Sequence, residues 1–422
     1  MSKTEEALER LTRAVREDAA FRRTRRLQPL GGVGDKIFPP TYPGERNSDP
    51  PRHVFERRRV TQSDGTTKDV MCVLIDSVQS QANRLEEALR FARDAKLIFF
   101  PVIAVDFAKT ELADVGRIST LEAPHRIFDA IIRDSELDGK RFKDTEHGKR
   151  LLEAKASNAR AVFDLSPTAL LFGAWNSTGG GEMGAKFPRA LVSEIIGVNV
   201  AVEIDPKSGV EKASGQRTGS RIDPLGIRSG VEVYKQPNGD WSLEPPSKGT
   251  AKGDKGLKPV RPSEINHSNI APTVTPLGVS VDYIQHTFVL SLAALRRLRF
   301  TNSPIEGEHE VLARTVLASL GLAAAAAQNR TGYALRSRCD LVSEPQSSEV
   351  FELVHANGSA DAFPLTFEEA CALLTAAIEG AARRDLRWRD SDVVLKPQAK
   401  LVELVRRSRQ MTLEGISEHS AE

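Results

Sequence analysis

The sequence predicts an α+β fold, and three observations lead to this class. Strand-like apolar runs such as "VMCVLID" and "GVSVDYIQHTFVL" mix with amphipathic and alanine-rich helical segments. These elements do not follow a regular β-α-β-α order, which disfavours a doubly wound sheet. No repeat of fixed period is present, which argues against a solenoid. The chain of 422 residues, 40% of them hydrophobic, is long enough for one large core or roughly two to three domains.

The amino-terminal segment is basic. Leu8, Leu11 and Val15 recur at helical spacing, so residues 2–27 are predicted to form an amphipathic helix that runs into "FRRTRRL". The four arginines of that string, at positions 22, 23, 25 and 26, either follow an RNA or end a solvated helix, and the sequence leaves both interpretations open. A Gly/Pro-rich loop completes this segment over residues 1–60.

A β-α-β-like unit is predicted next. "VMCVLID" has the character of a buried strand, Ser80 can cap the following helix, and "LIFFPVIAVDF" is a second strand. Residues 122–157 are predicted to be helical and charged. "PTALLFGAW" is predicted as a strand, and "ALVSEIIGVNVAVEI" is rich enough in β-branched residues to be strand in whole or in part.

The later chain begins with a change of composition to Gly, Pro, Ser and Lys, which predicts a mobile insertion over residues 205–262. A short basic helix "SLAALRRLRF", an alanine-rich helix ended by Gly332, an alternating strand "YALRSRCDL" and a late helix "TFEEACALLTAAIEGAARR" then follow. These elements predict a core over residues 61–385, interrupted by the insertion. A carboxy-terminal tail over 386–422 would be basic and then acidic.

The net charge is +2, but three segments are locally basic. Lys and Arg outnumber Asp and Glu by 14 to 9 over residues 1–60, by 11 to 6 over 206–262 and by 9 to 4 over 383–409. Together such patches suggest a polyanionic partner, whereas solvated arginines explain each one taken alone. Three separated cysteines without a CxxC pair predict neither disulfides nor a zinc ribbon and fit a cytoplasmic protein. No segment is predicted to enter a membrane.

The stretch "LLFGAWNSTGGGEMGAKFPRALVSEII", residues 170–196, admits four interpretations. Gly179, Gly181 and Gly184 formally satisfy the GxGxxG pattern of a dinucleotide site, which would make the chain a nucleotide-dependent enzyme using the loop over 179–184. A P-loop is excluded because no Ser or Thr follows Lys186. A plain glycine-rich turn between two strands is the third interpretation.

The fourth interpretation is a loop that lies along a nucleic-acid backbone. Glycines let main-chain N–H groups approach phosphates, and hydroxyl and cationic side chains add donors and charge. The residues that would do this are Ser177, Thr178, Gly179, Gly180, Gly181, Lys186 and Arg189. This interpretation gives a role to the hydroxyl and cationic residues of the loop.

Several ordered blocks between about Asp69 and Leu341 resemble one known family. They are "SVQSQANRLEEAL", "LLFGAWNSTGGGEMGAKFPRALVSEIIGVNV", "HSNIAPTV", "GVSVDYIQHTFVLSLAALRRLRF" and "GYALRSRCDL". The chain resembles the backbone subunit of the type I-G (formerly I-U) CRISPR interference complex, or Cascade, a Cas-seven member of the repeat-associated (RAMP) superfamily. The resemblance implies a modified RRM, or ferredoxin-like, core with large insertions in a hand-like architecture.

The resemblance also implies a function and partners. Such subunits polymerise along one CRISPR guide RNA (crRNA), bind its backbone without reading its sequence, and hold its bases out for pairing with target DNA in antiviral defence. Copies of the chain, other Cascade subunits and a recruited helicase-nuclease would be its partners. The chain lacks the aromatic RNP1 pattern of a true RRM, so stacking of bases on the sheet is not expected.

Further RNA-binding candidates lie outside the glycine stretch. Gln81, Asn83 and Arg84 begin the first core helix, where a phosphate can bind, and a well-capped helix explains them equally. The other candidates come after the insertion, and they are His267, Asn269, Arg296, Arg297, Arg336 and Arg338. No HxxxH, HExxH or GxSxG motif is present, so the sequence assigns no catalytic residue, metal ligand or cofactor.

Overall fold

A computed structural model describes residues 2–44, 51–61, 65–176, 186–204, 206, 209, 211–235, 240–245, 259–301, 307–345 and 350–413. Its helices are α1 (Lys3–Glu17), α2 (Val78–Asp94), α3 (Ala130–Arg133), α4 (Glu146–Leu152), α5 (Arg160–Leu165), α6 (Thr168–Phe172), α7 (Leu292–Leu295), α8 (Glu308–Thr331), α9 (Phe367–Ala382) and α10 (Ala399–Leu413).

The strands occur throughout the chain, between and after the helices. They are β1 (Ala20–Pro29), β2 (Phe55–Thr61), β3 (Thr67–Asp76), β4 (Ile103–Asp106), β5 (Arg117–Ser119), β6 (Ser135–Leu137), β7 (Lys140–Arg141), β8 (Ala174–Trp175), β9 (Lys186–Phe187), β10 (Leu191–Val198), β11 (Val202–Ile204), β12 (Glu211–Ala213), β13 (Gln216–Arg221), β14 (Val233–Lys235), β15 (Trp241–Ser242), β16 (Pro259–Val260), β17 (Ile270–Pro276), β18 (Tyr283–Ser291), β19 (Tyr333–Ala334), β20 (Asp340–Ser343), β21 (Phe351–Val354), β22 (Ala360–Phe363) and β23 (Val393–Pro397). The α+β class predicted from the sequence is confirmed.

The main sheet has the strand order β19-β20-β1-β18-β10-β3-β2, and its neighbours pair antiparallel. β20 pairs with the last residues of β1, whereas β21 pairs with the first residues and carries β22 at its other edge. The strands predicted from "VMCVLID", "ALVSEIIGVNV" and "DYIQHTFVL" are β3, β10 and β18, three neighbours in this sheet.

The basic string after α1 is a central strand, so the prediction of a helix through residue 27 is wrong. α1 ends at Glu17, and the next residue, Asp18, has an extended backbone with ψ 162°. Along β1 the burial alternates: Arg23 and Arg25 are 1% and 2% exposed, whereas Arg22 and Arg26 are exposed on the opposite face. This alternation suits a strand with two different faces, and the packing of both neighbours overrides the helix propensity of arginine.

Helices cover one face of the main sheet, here called the helix face. α2 and α8 pack there against Phe21, Leu191 and Leu290, and α1, α6 and α9 surround α8. α8 is long and apolar enough to cross a membrane by length and composition, but 94% of its most apolar window is buried in the protein. A Cβ on Gly321 would lie 3.1 Å from Leu290, so this glycine lets α8 approach the sheet closely.

A second sheet, with the order β5-β4-β23-β6-β7, explains two differences from the sequence prediction. β3 and β4 lie in different sheets, so the predicted β-α-β-like unit is not formed. β23, which falls in the segment predicted as a tail, is parallel to β4 and antiparallel to β6. Asp392, next to β23, binds both Arg93 and Arg117, and this pairing ties the late segment to α2 and β5.

Three other segments differ locally from the predictions. "PTALLFGAW" forms α6 and only then β8; all five residues of α6 are buried, so the run has no period that distinguishes helix from strand. "YALRSRCDL" is not one strand but β19, a turn and β20, with Arg338 at a left-handed φ of 56°. Residues 122–157 hold the short helices α3 and α4 with 3-10 turns and short strands, and α2 is capped by Ser77 instead of Ser80.

The predicted insertion and the residues on either side of it form small sheets of their own. β11 pairs with β12, β13 with β17, and β14 with β15 and β16. None of these described strands joins the main sheet. Almost every residue of the β13–β17 ribbon is exposed on both faces. The domain boundaries at 60, 205, 262 and 385 stay a prediction, and the predicted acidic end after residue 413 lies outside the described residues.

His355 ties the turn between β21 and β22 to the end of α1. Its Nδ1 lies 2.7 Å from Asp18 and its Nε2 lies 3.1 Å from Asp361, and these carboxylates raise the pKa of the imidazole. A raised folded-state pKa stabilises the protein fully below the unfolded value near 6.5, and this contribution is lost as the pH rises through the folded value. We expect His355→Ala to lower the unfolding free energy in urea at acidic pH and to leave it unchanged at alkaline pH. A loss of equal size at both pH values would contradict the ion-pair account.

Candidate nucleic-acid interface

A groove of about 710 Å³ opens where three segments that are distant in sequence meet, and we call it the cationic groove. The segments are the loop around Lys36 to Thr41, the start of β13 and the turn between β19 and β20. Its lining consists of Lys36, Phe38, Pro39, Pro40, Thr41, Gln216, Arg217, Thr218, Leu277, Arg336, Ser337 and Arg338. Arg336 and Arg338, two of the residues predicted from the sequence, therefore lie together.

Backbone hydrogen bonds hold the three segments in place. Ile37 exchanges two bonds of 2.9 Å with Val279, and the N–H of Phe38 donates to the Arg338 carbonyl at 3.1 Å. The Lys36 ammonium donates to the Gln216 carbonyl at 2.6 Å, which joins the loop to the ribbon. The groove is therefore formed by the backbone of the fold and does not depend on the rotamers of exposed side chains.

The groove is strongly cationic. Four of its lining residues carry a positive charge, and none of the described lining residues is an Asp or Glu. The Arg338 guanidinium lies 5.2 Å and the Lys36 ammonium 5.5 Å from the centroid of the Phe38 ring. Several cations in a lining without an acid, beside a half-buried aromatic ring, are suited to a phosphate backbone whose bases or sugars can contact the ring.

His53 supports the floor of the groove as a neutral imidazole. Its Nδ1 donates to the Pro40 carbonyl at 3.1 Å, and its Nε2 accepts from the Gly278 N–H at 3.1 Å. Burial and the nearby Arg336 lower the pKa of His53, which keeps Nε2 free to accept. The histidine thus joins the Gly/Pro loop to the segment before β18.

A buried carboxylate holds three of the predicted residues. Asp76, at the end of β3, is 0% exposed and accepts from Gln81 at 2.7 Å and from Arg84 at 2.9 Å. Arg336 donates to the same carboxylate at 3.2 Å and to the Ile75 carbonyl at 2.7 Å. The start of α2 and the groove turn, 250 residues apart in sequence, therefore meet at one acid.

Gln81 continues this cluster into the interior. It is 0% exposed, and its Oε1 accepts from Ser193 and Gln328. Ser193 lies 2.7 Å from His286 Nε2, whose Nδ1 lies 3.0 Å from the Tyr333 hydroxyl. Tyr333 and the buried Arg23 and Arg25 all donate to Asn329. The structure thus places Gln81 in a buried polar network and not at the surface where a phosphate would bind.

Two short strands flank the glycine stretch, and we call this pair of strands the glycine hairpin. β8 and β9 pair through Ala174 with Phe187 and Trp175 with Lys186. Gly173 precedes β8 with φ 82°, and a Cβ there would lie 2.9 Å from the Phe187 carbonyl, so glycine fits this close crossing. Ser177, Thr178, Gly179, Gly180, Gly181 and Gly184 lie outside the described residues, and so does the side chain of Lys186.

A buried ion pair anchors this hairpin. Arg126 donates twice to Glu86 of α2, at 2.7 and 2.6 Å, and once to the Gly173 carbonyl at 3.1 Å. Burial raises the pKa of Glu86 to about 7 despite this pairing. The Arg189 side chain is exposed at one end and partly desolvated beside the pair, and this partial desolvation together with the charge of Arg126 lowers the pKa of its guanidinium. The candidate Arg189 therefore lies at the base of the hairpin. The candidate Asn83 is also exposed and lies on α2, one turn before Glu86.

The other predicted residues lie elsewhere. Arg296 donates to the Val15 and Asp18 carbonyls and so caps the carboxy-terminal end of α1. Arg297 is exposed after α7. After the insertion, His267 packs its ring edgewise against Trp241, and the Asn269 side chain accepts from the Asp223 N–H at 2.7 Å. These four candidates are not brought into the cationic groove.

In two of the basic segments the fold leaves only some of the cations outside the described ion pairs or on the outer face of the sheet. Within residues 383–409 six of the nine cations pair with acids in the described part of the chain: Arg383 with Glu379, Arg384 with Glu308, Lys400 with Asp134, Arg406 and Arg407 with Glu403, and Arg409 with Asp114. In β1 only alternate arginines reach the outer face. Arg26 there covers Tyr283 at 4.0 Å, the one aromatic residue that the fully described strands β1, β10 and β18 place on that face.

Several residues that line or support the groove were not predicted from the sequence. Lys36, Phe38 and Arg217 lie in segments identified only as a Gly/Pro loop and an insertion. His53 and Asp76 are single polar residues whose roles depend on partners far along the chain. The one signal in the sequence is "GDKIFPP", where a lysine and an aromatic residue occur within a loop.

The described residues do not support two other kinds of site. Among them no group of three or more His, Cys, Asp or Glu is placed to hold a metal ion. A dinucleotide fingerprint needs a strand before its glycines and a helix starting at the last one. Here the two-residue strand β8 precedes the loop and the strand β9 follows it, so the described flanks of the GxGxxG pattern have the wrong structure.

A family model matches part of the chain. Residues 22–202, a little under half of the chain, match the model of the family described as CRISPR-associated protein GSU0053. This region contains most of β1, together with α2, β10 and both strands of the glycine hairpin. The match supports a CRISPR-associated protein with a role in a CRISPR-Cas system. No curated protein matches the chain.

Proposed function

We propose that the chain is a crRNA-binding backbone subunit of a type I CRISPR effector complex, with a binding and not a catalytic role. The CRISPR-associated family match and the cationic groove support this proposal. In this proposal copies of the chain line up along one guide RNA, and the guide recognises target DNA by base pairing. The other partners are further Cascade subunits and a recruited helicase-nuclease.

The strand order supports an RRM-like, or ferredoxin-like, core of the RAMP type. β1, α2, β10, β18, α8 and β20 follow one another along the chain in the order β-α-β-β-α-β. In space the four strands are ordered β20-β1-β18-β10, antiparallel throughout, with both helices on the helix face. This is the arrangement of a ferredoxin-like unit, with the hairpin of β2 and β3 added at one edge.

The cationic groove is the observation that carries the proposal. Phosphate contacts supply affinity without sequence information, which suits a subunit that must accept every guide. The outer sheet face does not offer the stacked aromatics of an RRM in its central strands, since Tyr283 lies under Arg26. We therefore place the guide backbone in the groove and not across the outer face of the sheet.

Co-expression with a CRISPR array tests the proposed function. RNA of uniform length should co-purify with the chain, and arrays with unrelated spacers should give equal yields because no base-reading set is proposed. A purified chain that carries a nicotinamide or flavin spectrum and no RNA would instead favour the nucleotide-dependent enzyme. A chain with neither, and without affinity for single-stranded RNA in filter binding, would be a scaffold for proteins only.

The glycine hairpin gives a separate prediction. If it also lies on the guide, replacing Lys186 and Arg189 with alanine should weaken RNA binding at low salt. The salt dependence should flatten by about 0.7 for each phosphate that is no longer neutralised, roughly one to one and a half in total. The loss of affinity should be the same for unrelated RNA sequences, measured by fluorescence anisotropy over a salt series. A folded double variant with unchanged affinity and slope would show that the hairpin is only a turn.

A further inference from the structure

We propose that Asp76 is a positioning residue for RNA binding: it fixes Arg336, and with it the groove turn, in the orientation that meets the phosphate backbone. This inference rests on the proposed function and deepens it. Asp76 itself does not line the groove, and its negative charge would by itself repel RNA. Its proposed contribution is therefore geometric, and it opposes the electrostatic effect of the same side chain.

The geometry shows how the turn is held. Arg336 is 28% exposed along the groove, yet its inner side is bonded to Asp76 and to the Ile75 carbonyl. Arg84 makes a second connection, because it donates to Asp76 and also to the Leu335 carbonyl at 2.7 Å. Two arginines on one carboxylate thus clamp both the side chain and the backbone of the turn onto the end of β3.

The charges of this cluster leave a surplus cation for the ligand. Asp76 carries one negative charge, and Arg84 and Arg336 carry two positive charges, so the group remains positive at the groove wall. Burial lowers the pKa of His53, and the charge of Arg336 lowers it further. Ser80 and Gln81 donate to the remaining carboxylate positions at 2.8 and 2.7 Å, so the carboxylate cannot rotate freely.

The connection to the interior makes the anchor rigid. Gln81 links Asp76 to Ser193 of β10 and to Gln328 of α8, both buried. A phosphate-binding arginine on an exposed turn would lose side-chain and backbone freedom when RNA binds. Because Asp76 fixes this turn to the sheet and to two helices beforehand, that ordering cost is reduced.

The variant Asp76→Asn separates geometry from charge, because the two predict changes of opposite sign. Removing a negative charge near the groove should tighten RNA binding if only electrostatics matter. If Asp76 positions the arginines, we expect affinity for single-stranded RNA to fall by about tenfold, with a salt slope smaller by about 0.7 because one phosphate is no longer neutralised. Trypsin should also cleave faster after Arg336 or Arg338 in the variant without RNA.

The matched control is Asp69→Asn, the same chemical change in the same strand. Asp69 is exposed and pairs with Arg59, and seven residues of strand place it about 23 Å from Asp76. Its RNA affinity should be unchanged or slightly higher. Equal or tighter binding by Asp76→Asn, with unchanged cleavage of the turn, would overturn the inference while the wild-type chain still binds RNA. Failure of the wild-type chain to bind would overturn the proposed function instead.

A second variant covers the case in which Asp76→Asn does not fold. Arg84→Gln removes the bond to Leu335 and the pairing of Arg84 with Asp76, but it leaves the carboxylate paired with Arg336. Weaker RNA binding together with faster cleavage of the turn supports the proposed anchor. Unchanged binding and unchanged cleavage contradict it.

Discussion

Replacing Lys36, Arg217 and Arg338 with alanine is expected to weaken binding of single-stranded RNA roughly 100-fold at low salt and to reduce the salt slope by about two. The reason is that each cation removed takes away one charge-assisted hydrogen bond to a phosphate and the counterions its binding would release. The variant should keep its fold, because these side chains line an open groove outside the hydrophobic core. Fluorescence anisotropy over a salt series measures both quantities, and circular dichroism checks the fold.

A matched control removes equal charge from another basic surface. Arg383, Arg384 and Arg407 are exposed and make only surface ion pairs, so their triple alanine variant should bind RNA nearly as well as the wild type. If the two triple variants lose affinity equally, RNA binding follows net charge and the groove has no special role.

The second large effect concerns the ion pair beneath the glycine hairpin. Arg126→Met leaves the Glu86 carboxylate, 2% exposed, without its partner, and breaking a buried pair in this way costs about 3–5 kcal/mol of unfolding free energy. The loss should be greater at pH 8 than at pH 5.5, because a protonated Glu86 is neutral and tolerates burial. Urea unfolding at the two pH values measures the difference.

The sign follows from the pKa of Glu86. Burial raises it from 4.5 to about 7, so the folded protein binds this proton more tightly than the unfolded chain does, and the contribution to stability falls as the pH rises between these values. Without Arg126 the pKa rises further and the penalty at alkaline pH grows. The same change in the exposed pair of Arg141 and Asp144 should cost less than about 1 kcal/mol. A pH-independent loss in Arg126→Met would contradict the account.

Elements with a clear period can be predicted from the sequence, whereas those set by tertiary partners cannot. α9 is predictable because Thr366 and Glu369 form a capping box before an apolar face, and α8 because its alanine-rich run ends at Gly332. β1 cannot be predicted from the sequence because two of its four arginines point into the interior, where they bind Asn329, and the other two lie on the outer face. Composition alone does not reveal which arginines are buried. β23 escapes it because its partners, β4 and β6, lie more than 250 residues earlier.

The candidate site shows the same division. Arg336 and Arg338 are identifiable because they alternate within a predicted strand, but the neighbours that form a groove with them come from residues 36 to 41 and from the ribbon. Gln81 and Arg84 have the position of helix-terminal phosphate ligands. Both side chains bind the carboxylate of Asp76, the last residue of an apolar strand. The sequence does not show that four side chains donate to this carboxylate.

Ultraviolet cross-linking of RNA bound to the wild-type chain, followed by mass spectrometry of the cross-linked peptides, tests the placement of the guide most directly. Placement of the guide in the cationic groove predicts cross-links to the peptide that contains Phe38 and to peptides around the turn at 336–338, because this aromatic ring and these cations line one groove. The cross-links should be the same for RNAs of unrelated sequence. Cross-links concentrated instead on Tyr283 and the outer sheet face, or on α10, with none at Phe38 or the turn, would contradict it.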